Sequence, residues 1–221
     1  MIDLYYARPS LFSRPVWLAL VEKQLPHRLI PVDITKNRLD SAFLDLNPFG
    51  QIPVLVDDDR RIFESAAILD YLEARYPAIS LLPSDPAALA TVRMAQFVGV
   101  NKLIPALVKL LSTEKSSDER QLANRETQQI VGFLGELLGN TSYFGGDNLT
   151  LAEICTGSFL HRLPEFDIDL PANLTDWNDR LLSRSSWQEI QLSPAEWESF
   201  CRHIPILPKL WQRRRRQQLS P

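Results

Sequence analysis

The chain is predicted to be an α/β domain with a small mixed sheet, followed by an all-α helical domain, and three observations support that. Through residue 78 short β-like runs interleave with helical ones. A stretch rich in proline and serine then intervenes, Leu81-Leu82-Pro83-Ser84-Asp85-Pro86. Beyond it apolar residues recur at helical spacing, and no convincing strand follows. The expected organisation is therefore a first domain over 1–78, a linker over 79–86, a helical domain over 87–205 and a basic tail over 206–221.

Taken in order, Ile2 to Tyr6 alternates as a strand. Pro15 to Lys23 is predicted helical, with proline in its first turn and Val16, Leu20 and Val21 on its apolar side. His27 to Val32 supplies a second strand, and a helical turn around Ser41 to Leu46 leads into the Asn47-Pro48-Phe49-Gly50 turn. Val54 to Val56 and Arg61 to Phe63 form a hairpin across Asp57-Asp58-Asp59. Ala66 to Tyr76 is an amphipathic helix stopped by Pro77. The order βαβ then ββα argues for a four-stranded mixed sheet of thioredoxin-like arrangement, in which only the first unit needs a parallel crossover. Such a piece has a marginal core of its own and should lean on a larger one.

In the second part Ala87 to Leu111 and Glu119 to Leu138 read as helices separated by the polar break Ser112 to Ser117. Thr150-Leu151-Ala152-Glu153 carries the Thr-x-x-Glu capping pattern. There the hydroxyl of the first residue takes an amide proton from the last, whose carboxylate answers the first residue's amide. Further helices are expected over Leu174 to Leu182 and Trp187 to His203.

The 221 residues carry a net charge of -3, and Arg213 to Arg216 place four positive charges at the end of an otherwise acidic chain. The expectation for that run is a solvated and partly disordered tail. No secretory signal or apolar span of membrane length is read from the sequence, and Cys155 and Cys201 are too sparse for a disulfide framework, so a soluble, cytoplasmic protein is expected without membrane insertion or nucleic-acid binding. Phosphate-loop, dinucleotide-binding, nucleophile-elbow and Cys-x-x-Cys patterns are absent. His27, His161 and His203 lack a paired ligand spacing, so no metal is expected.

The most informative residues are Ile52-Pro53 and, eleven positions on, Glu64-Ser65. A proline between Ile52 and Val54 marks a strand entrance, where the backbone of Ile52 is open to an extended ligand and a cis bond is admissible. Ser65 opens an apolar helical run, so its amide and hydroxyl face whatever anion docks there.

Together with Tyr5 to Val16, Asn47 to Leu55 and the Thr150–Glu153 cap, these motifs resemble a cytosolic glutathione S-transferase of serine type, theta-, phi- or zeta-like or of a bacterial class, over roughly residues 1 to 205. The resemblance implies that Ile52 and a cis Pro53 pair with the cysteinyl part of glutathione. It implies that Glu64 faces the γ-glutamyl ammonium and Ser65 its carboxylate, that Gln51 assists, and that Arg38 is a weaker candidate for the glycyl carboxylate. Glutathione would be a co-substrate, with no prosthetic group. The activity implied is conjugation of its thiolate to hydrophobic electrophiles, as in detoxification, by a homodimer whose contact involves Phe49. A glutathione-dependent isomerase or a non-catalytic ligand-binding protein stays open. The isomerase usually carries Ser-Ser-Cys where this chain has Ser10-Leu11-Phe12, and the family more often has aspartate where Glu153 stands.

A cysteine-like thiol has pKa about 8.5, and lowering it by two units takes about 2.7 kcal/mol. A hydroxyl donor beside a helix start can supply that. Ser10 is the candidate donor by resemblance to the serine-type classes; Ser13 and Tyr6, or Tyr5, are the alternatives. The stripe Leu103, Ile104, Leu107, Leu110 and Leu111 either lines an acceptor pocket or is plain core, and the sequence leaves that choice open.

Overall fold

The computed structural model describes residues 1–36, 39–114 and 116–219, with side chains in the last helix through Arg214 apart from Pro208. Strands β1 (Ile2–Tyr6), β2 (His27–Pro31), β3 (Val54–Asp57) and β4 (Arg60–Phe63) form one sheet in the order β2-β1-β3-β4. β1 and β2 are parallel, joined by α1 (Ser13–Glu22); the other pairings are antiparallel. The alternation of β1 is realised as expected, with Ile2, Leu4 and Tyr6 turned into the core and Asp3 and Tyr5 half-buried. α2 (Ser41–Leu46) precedes β3, and α3 (Ser65–Arg75) packs on the sheet through Ile68, Leu69 and Leu72.

The second part is helical: α4 (Pro86–Val98), a π-helical turn at Gly99–Leu103, α5 (Ile104–Ser112), α6 (Asp118–Leu138), α7 (Leu151–Thr156) and a 3-10 segment at Leu160–Phe166. α8 (Ala172–Leu182), α9 (Ser185–Ile190), α10 (Pro194–His203) and α11 (Leu207–Leu219) complete it. Pro86 to Ser112 is one uninterrupted helical stretch, long and apolar enough to cross a membrane by length and composition. Here its apolar side, Val92, Leu103, Leu107 and Leu110, is buried in the helical core. Leu103, Ile104, Leu107 and Leu110 thus belong to that core.

The capping box at Thr150 nucleates α7 and does more than cap. The Glu153 carboxylate is fully buried; it accepts from the Thr150 amide at 2.8 Å, the Thr150 hydroxyl at 2.5 Å, the Phe144 amide at 2.8 Å and the Trp177 indole at 3.2 Å. Burial pushes its pKa up, and these four donors oppose the shift. One buried carboxylate therefore ties α7 to α8 and to the loop before it.

Two expectations are corrected. The single helix over Trp187 to His203 is two, because Ser193 caps α10 with Glu196 in a second capping box and Pro194 occupies its first turn. The backbone of the arginine run is helical rather than loose: it continues α11, with Arg213 exposed as expected and Leu207, Trp211 and Arg214 on one helical face. Arg214 is buried, and its guanidinium donates to the carbonyls of Ile34, at 2.7 Å, and Lys36.

The sheet domain leans on the helices through polar ties as well as apolar packing. Within the sheet domain Lys23 and Glu73 form a buried pair at 2.7 Å that reaches the linker, Lys23 donating to Ile79 O and Glu73 accepting the Leu81 amide at 3.0 Å. Glu22 accepts from Arg184 at 2.7 Å and from Ser186. Arg8 donates to the carbonyl of Gln191 at 2.9 Å and pairs with Glu196 at 3.0 Å.

Candidate functional site

A pocket of about 860 Å³ opens between the two parts, lined on one side by Ser10, Gln51, Ile52, Pro53, Glu64 and Ser65. On the other side stand Val108 from α5, Ala195, Glu196, Ser199, Phe200 and His203 from α10, and Ile204, Leu207 and Trp211 at and beyond its end. Six of the sequence candidates therefore converge on one cavity. Ser13 and Tyr6 do not line it. Ser13 is fully buried with no partner for its hydroxyl, and Tyr6 packs edge-on against Trp17 at 5.5 Å between ring centres. Tyr5 lies against Phe43. Arg38 lies outside the described residues.

The sheet-side wall is shaped by the backbone. Asn47, buried, pins the turn before β3: its Oδ1 accepts the Phe49 amide at 3.0 Å and its Nδ2 donates to Gln51 O at 2.8 Å. Gly50 takes φ 61°, which its missing Cβ permits. The Ile52-Pro53 bond is cis. Glu64 holds φ 69° and ψ 113°, a conformation costing on the order of 1–3 kcal/mol for a residue with a side chain. It turns an exposed carboxylate to the cavity immediately before α3.

Ser65 is the first residue of α3, not its cap. The cap position belongs to Glu64, whose side chain makes no capping bond. The first amides of α3 thus meet the pocket without a side-chain acceptor, as α1, α8 and α9 also start, whereas α2, α4, α6, α7 and α10 each have one. A carboxylate docking at Ser65 would complete that helix start and lie at the positive end of its dipole.

Ser10 is nearly buried, and its hydroxyl oxygen accepts the Ser13 amide at 3.2 Å. The Ser10 carbonyl accepts the Arg14 amide at 3.1 Å, so the residue is locked onto the first turn of α1. Since the amide occupies the oxygen as a donor, the hydroxyl proton is left to point into the cavity. The arrangement suits donation to an anion at that point.

The helical wall was missed at the sequence level, because Phe200, Ile204, Leu207 and Trp211 follow the same spacing as core residues. Asn47 was likewise read only as part of a turn. Neither cysteine offers a nucleophile at the site: complete burial pushes the Cys155 thiol up to about 12, and burial also raises that of Cys201. Burial lowers His161 to about 4, leaving it neutral near neutral pH. Among the described residues no group of three or more His, Cys, Asp and Glu is placed to hold a metal ion.

Comparison with known proteins agrees with this geometry. Residues 9–75 match the glutathione S-transferase N-terminal domain and residues 79–185 the glutathione S-transferase C-terminal domain. A stringent starvation protein A homolog of Haemophilus ducreyi is 28% identical, over 74% of this chain and 75% of that protein. A maleylacetoacetate isomerase of Rattus norvegicus is 30% identical, over 84% of this chain and 89% of its own. A rice structure, GST1 in complex with glutathione, superposes with a TM-score of 0.81 at 23% identity, covering 93% of this chain and 96% of the other.

Proposed function

We propose, since this chain belongs to the glutathione S-transferase family, that its pocket binds glutathione along the sheet-side wall and adds the thiolate to an electrophilic carbon of an apolar acceptor held against the helical wall. The observation that carries this reading is the convergence of Ser10, Gln51, Ile52, Pro53, Glu64 and Ser65 on one cavity whose far side is mainly apolar. The γ-glutamyl carboxylate docks at the uncapped start of α3 and its ammonium meets Glu64. The cysteinyl backbone pairs beside Ile52. That places the sulfur toward Ser10.

Ser10 acts as a hydrogen-bond donor, not as a base, because a serine hydroxyl does not take a proton near neutral pH. Its bond is stronger to the thiolate than to the thiol, and this difference lowers the thiol pKa. The sulfur lone pair then forms the bond to carbon. The displaced electron pair leaves with the departing group, or is protonated when the acceptor is an activated double bond.

Ser10→Ala is expected to raise the pKa of the bound thiol, followed by thiolate absorbance against pH, and to lower turnover by about 10²-fold or more while glutathione is still retained. An unchanged pH profile would remove Ser10 from this role. Likeness to proteins named as an isomerase and as a starvation protein supports a second reading, isomerisation or non-catalytic binding. Retention on immobilised glutathione with no turnover of aryl halides, isothiocyanates or peroxides would favour it.

A homodimer is part of the proposal. Phe49 is 65% exposed at the tip of its turn, resting edge-on against Phe63, and Met94 and Phe97 are exposed on α4. Light scattering is expected to give twice the chain mass, and Phe49→Ser to shift it toward the monomer. Both cysteines are free, in keeping with action in a reducing cytoplasm.

A further inference from the structure

We infer that the acceptor half of the pocket selects a neutral aromatic electrophile carrying a hydrogen-bond donor such as a phenolic hydroxyl, and that His203 recognises that donor. This rests on the transferase reading above and narrows its acceptor.

α10 turns three polar side chains to the cavity, Glu196, Ser199 and His203. Glu196 is already engaged: one carboxylate oxygen pairs with Arg8 at 3.0 Å and the other accepts the Ser193 amide at 2.8 Å. Those contacts hold it below the usual carboxylate range, the Ser193 amide foremost, so it stays charged, and with Arg8 beside it the pair brings no net charge to that wall. His203 is different. Its Nδ1 lies 2.7 Å from the carbonyl oxygen of Ser199, which has no proton to give, so Nδ1 carries the hydrogen. With the hydrogen on Nδ1, Nε2 is the acceptor of the ring. Within the described hydrogen bonds Nε2 has no partner.

The surroundings define the rest of the guest. Phe200, Ile204 and Leu207 are buried beside His203, and Trp211 overhangs the cavity from α11, 40% exposed. Aromatic faces at Phe200 and Trp211 suit a flat ring, stacked or edge-on. A phenolic hydroxyl stays neutral well above physiological pH and donates one proton, which matches the acceptor that His203 Nε2 offers.

The test compares 3-hydroxychalcone with 3-methoxychalcone, matched Michael acceptors that differ in the donor. Their kcat/KM values, divided by the uncatalysed rates, are measured for the parent, His203→Phe and His203→Leu. Their binding to protein saturated with S-methylglutathione, which cannot react, is measured by calorimetry. The parent is expected to prefer the hydroxyl compound by roughly three- to tenfold in both measurements, the range of one neutral hydrogen bond, and both variants to lose that preference. Equal ratios in parent and variants, with S-methylglutathione bound, would overturn the role of His203 and leave the transferase reading standing. Failure of glutathione and S-methylglutathione to bind the parent would overturn both.

Discussion

The sheet-side wall and the helical wall of the pocket face each other across one cavity, yet different physical rules specify them. On the sheet side the functional groups are held by backbone geometry: the Asn47 turn, the strand entrance at Pro53, the positive φ of Glu64 and the uncapped start of α3. Few residue types satisfy such positions, so they form short motifs. On the helical side Phe200, Ile204, Leu207 and Trp211 need only to be apolar and on one face. Many combinations satisfy that, and a transferase can change its acceptor there without disturbing the thiol. On the reading proposed above, the difference separates what must stay fixed, thiol binding, from what is free to vary.

That contrast can be broken by mutation. The largest effect is expected from Ser10→Ala, with a loss of about 10²-fold or more that is similar for every acceptor, because the thiolate is common to all. An acceptor-dependent loss would erase the distinction between the walls. Trp211→Ala comes next. Partial burial of an indole gives about a tenfold rise in KM for bulky aromatic acceptors, little change for small ones, and no change in the KM for glutathione. A rise in the glutathione KM would show that the walls are coupled.

Thr150→Ala is expected to be the smallest in activity and to act on neither wall. It removes a cap worth about 1 kcal/mol and leaves Glu153 without one of its four donors. Thermal unfolding should shift down by a few degrees while activity per folded molecule holds. Unaltered stability would show that the box is dispensable.

Legibility in the sequence followed the same division. The four strands, the mixed sheet with its one parallel crossover, and the Ile52-Pro53 and Glu64-Ser65 motifs could be read because period-two alternation, prolines and helix starts leave local marks. Ser10 came from resemblance, and its distinction from Ser13 needed three dimensions: the two lie in one turn, and only the fold shows which hydroxyl reaches the cavity. The helical wall was illegible because an apolar stripe looks the same whether it faces core or ligand. The break before α10 had a local mark that was passed over, since Ser193-x-x-Glu196 is the same device as Thr150-x-x-Glu153. Arg214 was hidden for another reason. A cluster of arginines reads as solvated by composition, and only its helical phase shows that one of them turns inward.

That inward arginine makes α11 a clasp between distant parts of the chain. Arg214 holds the backbone at Ile34, some 180 residues earlier, and the Ile34–Thr35 segment and Trp211 border the same cavity. The pocket therefore cannot mature piecemeal. The sheet domain emerging from a ribosome would carry the Ile52-Pro53 and Glu64-Ser65 motifs long before the opposite wall existed, so the proposed conjugation would switch on late, with closure of a loop of some 180 residues.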